Sequence, residues 1–376
     1  FQSGLEGRQK AFANIIQYGT RGENPMGSND AARGIWRDFV AEADTFYQPG
    51  VFSAMTGFEW TASPQGDNLH RVVMLADGAD KTGQIVPFSI FDGENPEDLW
   101  QFLSDYEKKT GGRAMAIPHN GNLSNGRMFS DTDSAGKSMT ADYARRRIRW
   151  EPLHEVTQIK GDEETHPVLS PEDEFADFEN WDVSNIAGNV PKEDWMLKFE
   201  YGRSALKLGL ELGARLGVNP YEFGFTGTTD THTALATSRE ENYFGKYKAT
   251  EPGPDRHNTP VIPSDDPSLQ ILTSQEAASG LTAVWARENT REAIFDSLMR
   301  KEVYSTTATR IRVRVFAGWD FETEDMADHD FVSQGYGRGV PMGGELASAP
   351  QADAHSSRAP RFMVRALRDP DGANLD

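Results

Sequence analysis

Short apolar runs separated by longer polar stretches decide more about this chain than any other feature. "VFSAMTGF", "HRVVMLA", "RAMAIP", "LHEVTQI", "EFGFTGT" and "GLTAVWA" each have the length of a strand, and helical or loop segments lie between them. None approaches the length of a membrane-spanning helix. Strand-length runs alternating with helical stretches are the pattern of an α/β protein. Among the intervening stretches, "NPEDLWQFLSDYEKKTGG" predicts a helix, with Asn95 placed to cap, Pro96 at the first helical position, a basic last turn and glycines to stop it. "LKFEYGRSALKLGLELGARLG" predicts a second helix, with Phe199, Leu206, Leu210 and Leu212 near a common face. "NTREAIFDSLMRKE" predicts a third, opened by a capping box of Asn289 and Glu292.

The texture divides the chain into three parts. Residues 1–50, including "RQKAFANIIQYG", read as a helical approach. Residues 51–309 carry the α/β alternation, and residues 310–376 form a β-rich region that begins with the alternating "RIRVRVF". Two acidic, proline-containing stretches, "DEETHPVLSPEDEFADFENWDVSNIAGNVPKED" and "KATEPGPDRHNTPVIPSDDPS", read as long loops, which in enzymes often lie over active sites.

Charge narrows the partners. The chain has 38 Lys and Arg against 58 Asp and Glu, a formal charge of -20, which repels a polyphosphate backbone and argues against nucleic acid. Cysteine is absent, so disulfides, thiolate metal sites and a cysteine nucleophile are excluded. The opening residues are too polar for the core of a signal peptide. The chain therefore reads as soluble, in a compartment that composition leaves open between cytoplasmic and exported.

Chemistry collects where donors meet the apolar runs. Glu59 follows "VFSAMTGF", His119 follows "RAMAIP", and Asp230 and His232 follow "EFGFTGT", whereas His70 opens its run. A site that activates water needs imidazole nitrogens and carboxylate oxygens converging from several strands, with one position left open. Residues two apart in an extended segment point to one side, so Asp230 and His232 can address the same site. A strand-end charge in solvent, or an imidazole bonded to a neighbour, is the alternative for each donor taken alone. "EVTQIKGDEETHP" brings Glu155, Lys160, Glu163, Glu164 and His166 to another strand end, where they can line a pocket. No Gly-x-Ser-x-Gly elbow and no His-Glu-x-x-His helix is present, so serine hydrolase and zincin readings lack support.

In this order, "GFEW", "HRVVML", "IPHN", "HEVTQIKG" and "GFTGTTDTHTA" resemble the PHP (polymerase and histidinol phosphatase) superfamily, and within it an uncharacterised bacterial branch known as a domain of unknown function. The resemblance covers about residues 51–316. It implies a distorted (β/α)7 barrel of TIM type, here partial and followed by the β-rich appendage. It also implies two or three divalent ions at the carboxyl ends of the strands. By motif, Glu59, His70, His119, Asp230 and His232 would hold the metal, with Asp230 and His232 also catalytic, and Zn, Mn and Fe all suit such donors. The opening His-x-His of that family is not found before Glu59, so the chain reads as a fragment lacking it. The function expected is a metal-dependent phosphoesterase acting on a small anionic substrate. Arg71, Asn120, Arg127, Lys160, Glu164 and His166 are the candidates to bind that substrate. Hydrolysis of another ester or an amide, and a non-catalytic binding protein on the same scaffold, are the alternatives.

Overall fold

The computed structural model describes residues 29–233, 235–237, 245–247, 253–278, 280–326, 329–348 and 359–375. The stretch "RQKAFANIIQYG" lies outside them, and the described part of the amino-terminal segment holds helix α1 (Asn29–Thr45). There follow β1 (Thr56–Trp60), β2 (Arg71–Leu75), α2 (Ala79–Thr82), α3 (Pro96–Thr110), β3 (Ala114–Pro118), α4 (Ala141–Trp150), β4 (Leu153–Gln158) and β5 (Gly161–Asp162). Next come α5 (Asp194–Leu197), α6 (Gly202–Leu216), β6 (Gly224–Gly227), β7 (Pro260–Ile262), β8 (Ile271–Leu272) and β9 (Gly280–Val284). The remainder is α7 (Arg291–Met299), β10 (Val303–Thr307), β11 (Arg312–Gly318), α8 (Phe331–Arg338), β12 (Gly339–Pro341) and β13 (Arg361–Leu367).

Among the described residues the strands form five small sheets, ordered β1-β2-β3, β5-β4-β6, β10-β9, β12-β11-β13 and β7-β8. None closes, so the expected (β/α)7 barrel is not the fold. The apolar runs set where strands occur but not how they pair. β1, β2 and β3 pair antiparallel, as no barrel of repeating β/α units would, and only β4 and β6 run parallel. β3 packs beside β4 without a ladder between them, and the Pro118 carbonyl at the end of β3 lies 3.1 Å from the His154 ring Nδ1.

The antiparallel sheet has two different faces. Toward one side it sends Trp60, Val73, Leu75 and Ala116, which pack with Trp36 of α1 and with Leu99, Trp100, Leu103 and Tyr106 of α3. Toward the other it sends Met115 and Ile117, with Val72 and Met74 beside them, which pack with Leu153 of β4, Phe295 and Leu298 of α7, and Val303 of β10. The period of two along each strand separates the sets.

The helices follow from local chemistry. α3 begins at Pro96 and ends on Gly111 in the left-handed conformation, as its sequence predicts, although Asn95 donates to Asp98 instead of capping. α7 is capped by Thr290, whose hydroxyl accepts from Ala293 N at 3.2 Å, so the cap falls one residue after Asn289 and the expected box with Glu292 is replaced by a single cap. α6 buries Gly202, Ala205, Gly209 and Leu212, while Leu210, expected on the core face, is exposed. The reason is close approach: a Cβ at Gly209 would lie 2.3 Å from the Asn219 side chain, so the small residues mark the packed stripe. In the C-terminal region, Phe316 and Met363 of the β12-β11-β13 sheet pack with Phe321 and with Phe331 of α8.

One buried ionic cluster ties these layers together. Arg71 Nε lies 3.1 Å from Glu151 Oε1, Arg147 lies 3.3 Å from Glu151 Oε2, and Trp100 Nε1 donates to Oε1 at 2.9 Å. Burial alone would raise the Glu151 pKa, but the two guanidinium groups outweigh it and hold the carboxyl below its ordinary range. Removing the shared carboxylate strands two buried cations. Glu151→Ala is therefore expected to lower the unfolding free energy by about 3–5 kcal/mol in a urea titration. Leu210→Ala, on the exposed side of α6, should change it by less than about 0.5 kcal/mol.

Candidate metal centre

Antiparallel pairing explains how a histidine at the start of one apolar run meets residues at the ends of two others. The register places Trp60 opposite Arg71, and Arg71 opposite Pro118. The end of β1, the beginning of β2 and the end of β3 therefore share one rim. Glu59, His70 and His119 stand there, on the face that carries Val72 and Ile117.

The three side chains converge on one point. His70 Nδ1 lies 3.0 Å and His119 Nε2 2.9 Å from the same oxygen, Oε1 of Glu59. Their ligand atoms all fall within 4.8 Å of one another, so the group could hold a metal ion. Two imidazole nitrogens and one carboxylate oxygen are a donor set of catalytic zinc sites, which keep a further position for water or substrate. The surroundings hold the donors in place. Ser63 Oγ lies 2.9 Å from His70 Nε2, and Asn68 Nδ2 donates to the carbonyls of His119 and Asn120 at 2.7 and 3.0 Å. Asn120 adopts a left-handed φ of 52°. Its backbone N–H and that of Gly121 both donate to the buried Glu163 carboxyl at 2.7 Å.

Electrostatics follow from these contacts. Burial works to raise the Glu59 pKa, but hydrogen bonds from His119 and His70 and their charges together hold the carboxyl well below the ordinary range. Burial pushes His70 down, with Glu59 opposing. Burial also pushes His119 down, but Glu59 and Glu155 outweigh it and leave that ring raised. Burial raises Glu155, which accepts from Thr228 Oγ1 at 2.7 Å and Gln158 Nε2 at 2.9 Å.

The other residues singled out from the sequence fall into two groups. Asp230 and Lys160 come close: both interact electrostatically with His119, and Lys160 with Glu59 and His70 as well. The Asp230 carboxylate is nevertheless bound by two ammonium groups, Lys160 Nζ and Lys246 Nζ. His232 turns its Nδ1 to the Asp230 carbonyl at 2.9 Å, and its side chain is half exposed. It stands outside the triad. Arg71, expected to meet substrate, is a core residue engaged with Glu151. Arg127 binds Asp67 at 2.6 Å and Gln65 at 2.8 Å, Glu164 pairs with Arg203, and His166 places its two ring nitrogens against Asp182 and the Val168 N–H. These ion pairs give each of them a structural partner of its own.

Sequence reasoning missed Lys246, whereas Glu155 and Glu163 belong to the strand-end wall read from "EVTQIKGDEETHP". Those two carboxylates had a legible signal, since charged residues flanking a strand end can line a pocket. Lys246 had none: it lies in a loop, after no apolar run. Burial and the neighbouring Lys160 charge lower its pKa, while the Asp230 carboxylate beside it favours the ammonium form. A cleft of about 920 Å3 opens elsewhere, between β9, β10 and residues 308–312 and 367–372, and is lined by none of the triad or its charged neighbours.

The family model described as "Protein of unknown function (DUF3604)" matches residues 6–376. The chain belongs to the DUF3604 family. No PHP family matches it, so the resemblance to that superfamily is corrected: the shared feature was a series of short motifs at strand ends, which unrelated β-containing folds can also place at a rim. No curated protein and no solved structure matches this DUF3604 chain. No helix among its described residues is long and apolar enough to cross a membrane.

The triad makes a direct prediction. Zn2+ or Mn2+ at about one hundred times its dissociation constant should stabilise the chain by about 2.7 kcal/mol, read as a raised thermal midpoint. His70→Ala should abolish that gain while leaving the far-UV circular dichroism of the metal-free protein unchanged.

Proposed function

We propose that this chain is a metal-dependent hydrolase of small phosphate esters. The observation that carries the proposal is the convergence of His70 and His119 on one oxygen of Glu59 at the rim of three adjacent strands. Glu59, His70 and His119 would hold the ion. A bound divalent cation supplies an acidified water near neutral pH and positive charge for the substrate oxygens.

The chain's own residues do the remaining work in this reading. Asn68 and Glu163 hold the backbone at 119–121, the segment that carries the His119 ring, through hydrogen bonds to its carbonyl and N–H groups. Positioning of that kind matters, because loss of the groups that orient a ligand commonly costs 10–100-fold in affinity or activity. Lys160, buried and within electrostatic reach of the triad, brings a positive charge to a protein whose formal charge is -20. That favours an anionic substrate small enough to enter, and a polyanionic nucleic acid remains disfavoured by the surface as a whole.

The experiment is a hydrolysis assay on p-nitrophenyl phosphate and bis(p-nitrophenyl) phosphate, with the chain loaded with Mn2+ or Zn2+. Turnover of either ester, loss on chelation and recovery on adding metal back are expected. Glu59→Ala should lower kcat/KM by at least about 100-fold. Stoichiometric metal binding with no turnover of either ester would overturn the phosphoesterase reading.

A further inference from the structure

Beside the triad lies a second charged group that the hydrolytic reading does not use in full. Lys160, just past the end of β4, and Lys246, from the loop after β6, both bind Oδ2 of Asp230. Their side chains are only 6% and 1% exposed, and that of Asp230 10%. Two cations and one anion thus meet at a single buried oxygen. Burial of charge is tolerated where opposite charge balances it.

Among the described residues, two carboxylates near the cluster bind other groups. Glu59 accepts from the two histidines, and Glu155 from Thr228 and Gln158. Asp230 itself is held in an uncommon conformation, with φ of 48° in the left-handed region. The same lysine holds it there: Lys246 Nζ donates to the Asp230 carbonyl at 2.9 Å, and the Lys246 carbonyl accepts from His232 N–H at 2.8 Å. An uncommon backbone geometry beside buried charge is a pattern found at ligand clamps. The His232 side chain beside this cluster is half exposed.

We propose that Lys160 and Lys246 form a seat for the dianionic phosphate group of the ligand, and that Asp230 fills this seat with its own carboxylate until phosphate takes its place. Charge matching selects the dianion, since two ammonium groups balance two negative charges where one carboxylate supplies only one. A phosphate has oxygens enough to meet both ammonium groups and still face the triad. The proposal rests on the hydrolytic reading for the ester, but not for the anion, so phosphate can be tested without metal.

Isothermal titration of inorganic phosphate into the full chain, once chelator-treated and once loaded with Mn2+, tests it. The metal-free wild type should bind one phosphate. Asp230→Asn removes the competing charge and should tighten binding at least about tenfold, the equivalent of 1.4 kcal/mol. Lys160→Met and Lys246→Met should each weaken it by about tenfold or more. Lys246→Arg, which keeps the charge, should retain binding, and serves with Asp230→Asn if the methionine variants do not fold. Phosphate binding that is unchanged or weaker in Asp230→Asn overturns the seat, as does binding indifferent to both lysines. Acetate binding as tightly as phosphate to Asp230→Asn overturns the dianion assignment. Phosphate binding that follows these rules in a chain that takes up no metal would uphold the seat and reject the hydrolytic reading.

Discussion

The pairing of Trp60 with Arg71 across β1 and β2 governs the rest of the site. Both side chains are fully buried on the core face, with the Arg71 guanidinium 5.8 Å from the Trp60 ring centroid and tied to Glu151. A slip of one residue would send Arg71 to the other face and leave the Glu151 carboxylate without it, which buried charge does not tolerate. Locking that register locks its complement. The residues one step back, Glu59 and His70, must then lie on the opposite face, where His119 joins them from β3. A structural ion pair in the core thus sets the geometry of donors on the far side of the sheet.

That dependence shows what could and could not be read from the residues in order. Glu59, His70 and His119 were legible because donors at the limits of apolar runs stand out, and strands end at rims. Their arrangement was harder to see. Apolar runs look alike whether their neighbours are parallel or antiparallel, so a barrel seemed natural where a meander exists. His70 carried the clue, since a ligand at the start of its strand, between two at the ends of theirs, fits a strand running the other way. Arg71 was misjudged for a related reason. A basic residue beside a candidate ligand looks like an anion binder, and only its burial against Glu151 and Trp60 reveals a core role. Lys246 was invisible because its importance lies in meeting Lys160 at Asp230, a contact across loops with no periodic signature.

Overall charge and local charge point in opposite directions here. With a formal charge of -20, the molecule's long-range field disfavours anions. Lys160 and Lys246 answer this with positive charge placed in a buried setting, where screening by salt is weak. Under the proposed function, this combination would favour ligands small enough to enter the rim over long polyanions that must lie along the surface.

The antiparallel meander also has a bearing on how the protein comes into being. His119 and Glu59 are only 60 positions apart, and the strands that carry all three donors adjoin one another in the chain. β1 and β2 are joined by a short connection that closes fast, whereas β2 and β3 flank the longer segment that carries α2 and α3. Asp230 and Lys246 emerge from the ribosome much later. A nascent polypeptide therefore carries all three candidate donors well before the remainder of the site has been synthesised.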